Sequence, residues 1–431
     1  MRYQTLFIWV FITWSTTVVA SDDLTLAAKA ALFDTDIVER FLHNGQLTTR
    51  RRLPTSERPY VTHNMSDNAY MTGIYCAMQT WRYLATDDPK AARQARAAFQ
   101  ALYHLGRVSG RPGLLARASV LRDVPWFDDG IWRDSTDGLH RWRGNVSSDQ
   151  VDGLMFGAYV YFTHLADTAE RALLAETIGQ VVGAILDDGF RIVGYDGDVT
   201  TWGHYEPVYV TNDEPMNALL LLQMVKIADA VTSNTRFEKE YRKLVELGYH
   251  RIGEAARLDR APLIANHSDD VLIALALYPL LELEHDPGIR ESYLEAARRW
   301  FQGGSYPGVS VEANPFVNFL WHHWTGDDAY DAAGIETLSD MPLDMKWNTD
   351  TIASYASRLG FTFQAESVHV PAAGDDPLPI GQRGRTWSML VHNPYAVGGD
   401  RTTFTPFETN GLDYLVSYWF GRAHGMIGAE D

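Results

Sequence analysis

The stretch that decides the fold is "VDGLMFGAYVYFTHLADTAERALLAETIGQVVGAI", residues 151–185. Apolar residues recur through its first half at spacings of three and four, the period of a buried helix. A polar turn follows, with Asp167 where a helix N-cap belongs and Thr168 and Glu170 close behind. The second half reads as a more charged, amphipathic helix. The same pair returns along the chain. "YMTGIYCAMQTWRYLA" leads into "ATDDPKAARQARAAFQALYHL", "MNALLLLQMVKIADAV" into "VTSNTRFEKEYRKLVELGYHR", and "VLIALALYPLLELE" into "LEHDPGIRESYLEAARRWFQG".

These units begin near residues 67, 149, 213 and 269, a spacing too variable for a strict solenoid. The expectation is an all-α protein, an (α/α) toroid of about six or seven helix pairs. Apolar helices form its inner ring and amphipathic ones its outer ring. Segments near 314–324, 350–358 and 410–424 are candidates for further inner helices, and the last, "YLVSYWFGRAHGMI", would close the ring. An open solenoid is the alternative; it would present a concave surface instead of a funnel. Only 190–195 and 361–370 read as strands.

The first 20 residues carry one charge, Arg2, then an apolar run and small residues ending at Ala20. This is the pattern of a cleaved secretory signal, its core short for a bilayer span. The expected product is one domain over 21–431, secreted or periplasmic, without a membrane anchor. Cys76 is the single cysteine and lies in an apolar helical pattern, so it reads as a core thiol. A net charge of −18 argues against nucleic acid as a partner. Thirteen Trp and 21 Tyr fit a protein that stacks sugar rings, or one with a large aromatic core.

The inner helices start alike: Ser66-Asp67-Asn68, Ser148-Asp149-Gln150, Asn212-Asp213-Glu214 and Ser268-Asp269-Asp270, with Thr349-Asp350 a weaker case. Capping accounts for such residues, since they accept bonds from free N–H groups and oppose the helix dipole. Capping does not account for the loops just before them. In a toroid the inner helices run parallel, so these loops share one rim. They carry His63, His140, Trp142, Arg143, Trp202, His204, Tyr205, Asn212, Asn266 and His267. Such a rim suits a glycan: aromatic faces stack sugars, and arginines and amides bind hydroxyls or carboxylates. Expected substrate contacts are Trp202, Arg143, Trp142, Asn266, Gln150 and Asp149. "WHHW" at 321–324 places adjacent histidines about 100° apart on a helix, so no metal site and no cofactor is expected.

Three chemistries compete. β-Elimination on a uronate needs a group that neutralises the carboxylate, a base and an acid; Asn212, His267, His204 and Tyr205 are the local candidates. Glycoside hydrolysis needs two carboxylates, for which Asp152 and Glu206 or Asp269 are available. The third option is sugar binding alone. The rim stretches "SSDQVDG", "TTWGHYEP", "TNDEP" and "NHSDD", with the closing "YWFGRAHGMI", resemble the helical-toroid alginate and glucuronan lyases of polysaccharide lyase family 38. The resemblance implies an acidic polysaccharide as substrate and an Asn/His pair, an Arg and a Tyr as machinery. Asn212 and His267 would be the pair, Arg143 the rim arginine, and Tyr205 or Tyr355 the tyrosine.

Overall fold

A computed structural model describes residues 24–124, 130–362, 369–371, 376–385, 393–398, 406–429 and 431. The expected leader at 1–20 lies outside the described residues. Fifteen helices occur among those described. They are α1 (Leu26–Arg40), α2 (Asn68–Thr86), α3 (Pro89–Leu105), α4 (Ser148–His164) and α5 (Thr168–Asp187). Next come α6 (Pro207–Asn212), α7 (Met216–Val231), α8 (Thr235–Glu246), α9 (Tyr249–Gly253) and α10 (His267–Leu283). The last are α11 (Pro287–Gln302), α12 (Pro315–Thr325), α13 (Asp331–Asp340), α14 (Thr349–Arg358) and α15 (Leu412–Ala423).

Six of them close a ring. α2 packs on α4, α4 on α7, α7 on α10, α10 on α12, α12 on α15, and α15 back on α2. Each has an outer partner: α3, α5, α8, α11 and α13 in turn, and α1 against α15. The fold is therefore an all-α (α/α) toroid of six pairs. The outer helices start as their sequences imply. Asp88, Asp167, Asn234 and Asp286 accept bonds from first-turn N–H groups, and Pro89 and Pro287 sit where a missing N–H costs nothing.

The expected closing helix is in place. Tyr414 and Tyr418 are buried, the Tyr414 hydroxyl donates to the Leu26 carbonyl at 2.8 Å, and its ring meets Phe33 at 5.1 Å. Cys76 is a buried free thiol, as its apolar setting implies. Two expectations need correction. The segment at 350–358 is helical but stands outside the ring. Its Ile352 and Ala356 belong to a separate small core with Trp347, Leu378, Val397 and Phe407. Only ten residues long and with few buried positions, α14 lacks the all-round apolar surface of an inner helix. The third unit begins later than expected, because Pro207–Asn212 forms its own short helix and α7 starts at Met216.

The tightest junction is α2 against α4. Gly73 faces Gly153, and Gly157 faces Gly73, backbone to backbone. A Cβ built on Gly73 would lie 1.8 Å from the Gly153 carbonyl oxygen, and one on Gly153 would lie 2.6 Å from the Tyr70 Cα. No side-chain rearrangement relieves a clash with backbone. Gly153→Ala should therefore cost about 3 kcal/mol or more of folding stability. Urea denaturation checks this, with Gly179→Ala as the control, since nothing lies closer than 3.7 Å to its Cβ position.

Short sheets decorate one end. Arg50–Arg52 pairs with both Phe407–Thr409 and Thr62–Asn64, joining chain regions far apart in sequence. His140–Arg143 pairs with Ala118–Leu121 and Trp132–Asp134. The expected strand at 190–195 is present as Arg191–Val193, paired with Val199–His204. Of the expected strand at 361–370, residues 363–368 lie outside the described residues.

Candidate active site

The inner helices all start at the decorated end. Gln150 of α4 donates to Asp67 at the start of α2 at 2.9 Å. Asp67, Asp149 and Asp413, from the starts of α2, α4 and α15, all act electrostatically on Tyr70. At the other end, His323 of α12 bonds Glu282 of α10 at 2.8 Å, and its ring lies 4.6 Å from that of His424.

Capping does not explain the acids at these starts. Asp67 occupies the N-cap of α2 without capping it. It is instead bound by Arg117 at 3.0 Å, by Gln150 and by the Ser66 hydroxyl. At α4 the capping box is made by Ser147 and Gln150, which frees Asp149. At α10 the N-cap is Asn266, whose amide donates to Asp269 at 2.7 Å, and Asp270 is bound by Arg257 at 2.8 Å. These carboxylates face the mouth of the ring and its wall.

Asp149 and Asp269, on α4 and α10, are both half-buried. Burial pushes Asp269 up to about 7, reinforced by Glu214, Asp149 and Asp270, while the bond from Asn266 offsets part of the rise. Asp149 is also raised, by burial and by Asp67; Arg117 and the Ser147 hydroxyl, 3.1 Å away, restrain the shift. Glu214 is raised by burial against the pull of Arg260. A small cleft of about 20 Å³ opens beside this group, lined by Glu214, Arg257, Arg260, Asn266, Asp269 and Asp270 among others.

The sequence-predicted residues fall in several settings. Tyr205 is fully buried, and its hydroxyl has no bonded partner among the described residues. Burial, then Asp149 and Asp152, hold its proton well above the ordinary tyrosine range. His204 bonds Glu206 at 3.1 Å and lies 5.1 Å from the Tyr209 ring. Trp202 is 59% exposed and presents a free face. Asn212 is exposed at the end of α6. His267 is buried, its Nε2 against the Pro262 carbonyl at 3.1 Å.

Gln150 is sealed beneath Asp67. Trp142 is 1% exposed, edge-on to Tyr195 at 5.7 Å, so Tyr195 offers the open aromatic face there. Arg143 lies in the strand beside them, half-buried. The hydrolytic alternative named Asp152, Glu206 and Asp269; Asp269 lies at the mouth, and the first two differ. Asp152 is in the core, bonded by Gln223 at 2.8 Å, and burial pushes its carboxyl well above the usual range. For Glu206, burial is outweighed by bonds from its own backbone N–H, from His204 and from Arg191, so it stays below the usual carboxylate range. Neither suits the role of proton donor to a substrate. Sequence reasoning passed over Tyr70, Tyr209, Arg117 and Tyr195. The signal for the acids was present as the repeated Asp at each inner start.

No protein-family model matches the chain, and no curated protein matches it. Solved structures do. A D-mannose isomerase shares 10% identity at a TM-score of 0.45, over 96% of this chain and 100% of that one. A family 76 glycoside hydrolase from a bovine Bacteroides thetaiotaomicron strain shares 9% at 0.48, over 94% and 79%. A cellobiose 2-epimerase from Spirochaeta thermophila shares 14% at 0.41, over 94% and 98%. Likeness at this level says nothing of what the chain binds, and the toroid rests on its own ring of helices.

The Asp67 contacts generate a stability prediction. Asp67→Ala leaves Arg117 and Gln150 facing each other without their shared acceptor. It should cost about 3–5 kcal/mol, the usual penalty for breaking a buried pair on one side. Asp213→Ala, at an exposed acid of the same sequence pattern, should change stability by less than about 0.5 kcal/mol. Parallel chemical denaturation of the two variants checks both values.

Proposed function

We propose that this protein is an exported carbohydrate-active enzyme that hydrolyses glycosidic bonds, using Asp149 and Asp269. The observation that carries the reading is their placement. Two half-buried carboxyls from different inner helices share one mouth, within electrostatic reach of each other. Hydrolysis needs such a pair, one carboxyl to protonate the leaving oxygen and one carboxylate to act on the anomeric side. Asp269 takes the acid role, since burial raises it and Glu214, Asp149 and Asp270 add negative charge around it. Asp149, restrained by Arg117 and Ser147, takes the other. Tyr70 and Tyr209 flank the pair as neutral phenols that donate to sugar hydroxyls. Trp202 and Tyr195 stand exposed at the rim as stacking faces.

The acid-rich floor favours a neutral glycan over a uronate, whose carboxylate would meet Asp67, Asp149, Glu214 and Asp269. The lyase reading has less support. It asks for a phenolate or imidazole base, yet the Tyr205 phenol is held neutral and His267 is buried and engaged. Export is supported by the leader pattern at 1–20.

A panel of neutral and uronate glycans tests the proposal, followed by new reducing ends and by the ultraviolet absorbance of unsaturated uronates. Reducing ends without that absorbance are expected. Appearance of the unsaturated product would sink the hydrolase reading and restore the lyase, and no release from any glycan would point to binding alone. On the glycan that is cut, Asp149→Asn and Asp269→Asn should each lower kcat by about 10²–10⁴-fold with the circular dichroism spectrum unchanged. Trp202→Ala should raise KM by about tenfold and leave kcat nearly intact, because an exposed stacking face binds ground and transition states alike.

A further inference from the structure

His267, Asp270 and Glu312 form a second cluster, in the wall of the ring. Their ligand atoms all lie within 4.8 Å of one another, and all three residues are buried. His267 and Asp270 share one face of the first turn of α10, three residues apart. Glu312 ends the 3-10 turn Val309–Glu312 that precedes α12. The cluster therefore bridges α10 to α12, the loosest seam of the ring.

The imidazole is the informative member. Its Nε2 lies 3.1 Å from the Pro262 carbonyl oxygen, which can only accept, so Nε2 carries a hydrogen. Its Nδ1 is buried and has no hydrogen-bond partner among the described residues. That atom faces Glu312 Oε1 at 3.4 Å and Asp270 Oδ2 at 3.6 Å. A lone pair aimed at two carboxylate oxygens is repulsive unless positive charge lies between them. These separations exceed the usual hydrogen-bond range of about 2.7–3.2 Å. They are close to the edge of a zinc tetrahedron, where bonds of about 2.0–2.1 Å set ligand atoms about 3.3–3.4 Å apart.

We propose that His267, Asp270 and Glu312 bind a zinc-class divalent cation, which staples α10 to α12. The surroundings match an outer shell. The Pro262 carbonyl orients the imidazole, and Arg383 holds the Glu312 backbone carbonyl at 2.6 Å. Arg257 holds Asp270 Oδ1 at 2.8 Å, and its guanidinium also lies 3.5 Å from Asp270 Oδ2 and 3.7 Å from Glu312 Oε1, so it shares these carboxylates with the cation. The two arginines offset the charge of the two carboxylates, so the dication adds net positive charge and binds more weakly than at an uncompensated acidic site. The role is structural and independent of the chemistry at Asp149 and Asp269.

The test needs no glycan. Chelator-treated full-length protein is titrated with zinc chloride by calorimetry, and with Co²⁺ as an optical probe. The expected results are 1:1 binding, a raised thermal midpoint, and the visible band of tetrahedral cobalt. Glu312→Gln, nearly isosteric, should weaken zinc by about 100-fold, and His267→Ala should abolish the cobalt band. His322→Ala, which removes a half-buried imidazole paired with Asp331, should leave both unchanged. Zinc binding no tighter to wild type than to folded Glu312→Gln would overturn the proposal. So would an absent cobalt band in wild type, which would leave an imidazolium proton as the charge between the carboxylates.

Discussion

The structure depends on one close approach. Gly73 of α2 lies backbone to backbone against Gly153 and Gly157 of α4. Without side chains between them, the two axes come nearer than ordinary helix packing allows. That distance sets the arrangement of side chains at the helix starts. Gln150 reaches Asp67, Arg117 reaches Asp67 from the loop, and Asp149 is left at the edge of the mouth with no capping duty. A wider spacing would place Gln150 out of reach and leave Asp67 buried without one of its partners.

The second constraint is electrostatic. Six parallel inner helices bring six N-termini to one end, each with the partial positive charge of unpaired N–H groups. Such an end tolerates carboxylates that a neutral interior would reject. Tolerance has limits when several acids share the space, and the protein meets them in different ways. Asp67 and Asp270 are paired with Arg117 and Arg257. Asp152 sits deeper, where burial raises it and the Gln223 amide donates to it. Asp149 and Asp269 are neither fully paired nor sealed, and both stay half-buried at the mouth.

Much of this was legible in the sequence. The period of three and four marks every ring helix, because an inner helix is apolar all round and an outer one on a stripe. The common rim followed from the pairing, since inner helices joined through outer ones must run parallel. Less legible was the role of each repeated Asp. Local chemistry makes Asp the expected cap, and only the tertiary neighbours Arg117, Gln150, Asn266 and Arg257 show that these acids are bound otherwise. The start of α7 was obscured for a related reason. The polar trio at 212–214 resembles the other starts, but the intervening helix α6 shifts the turn to Pro215. The composition of α14, short and apolar on one stripe only, already sets it apart from the ring helices, but its place against the distant Phe407 and Val397 was not legible.

The segment "NHSDD" at 266–270 shows how one helical turn serves two sites. Residues three apart share a face, and adjacent residues point about 100° apart. Asn266 and Asp269 therefore lie together, and the amide of the first holds the carboxyl of the second at the cleft. His267 and Asp270 lie together on the next face, turned into the wall against Glu312 and Arg257. The histidine, by residue type the most chemical member of the stretch, faces the wall, and the aspartate that reads locally as a cap faces the mouth. Helical geometry divides these residues this way, since their spacing alone fixes which of them share a face.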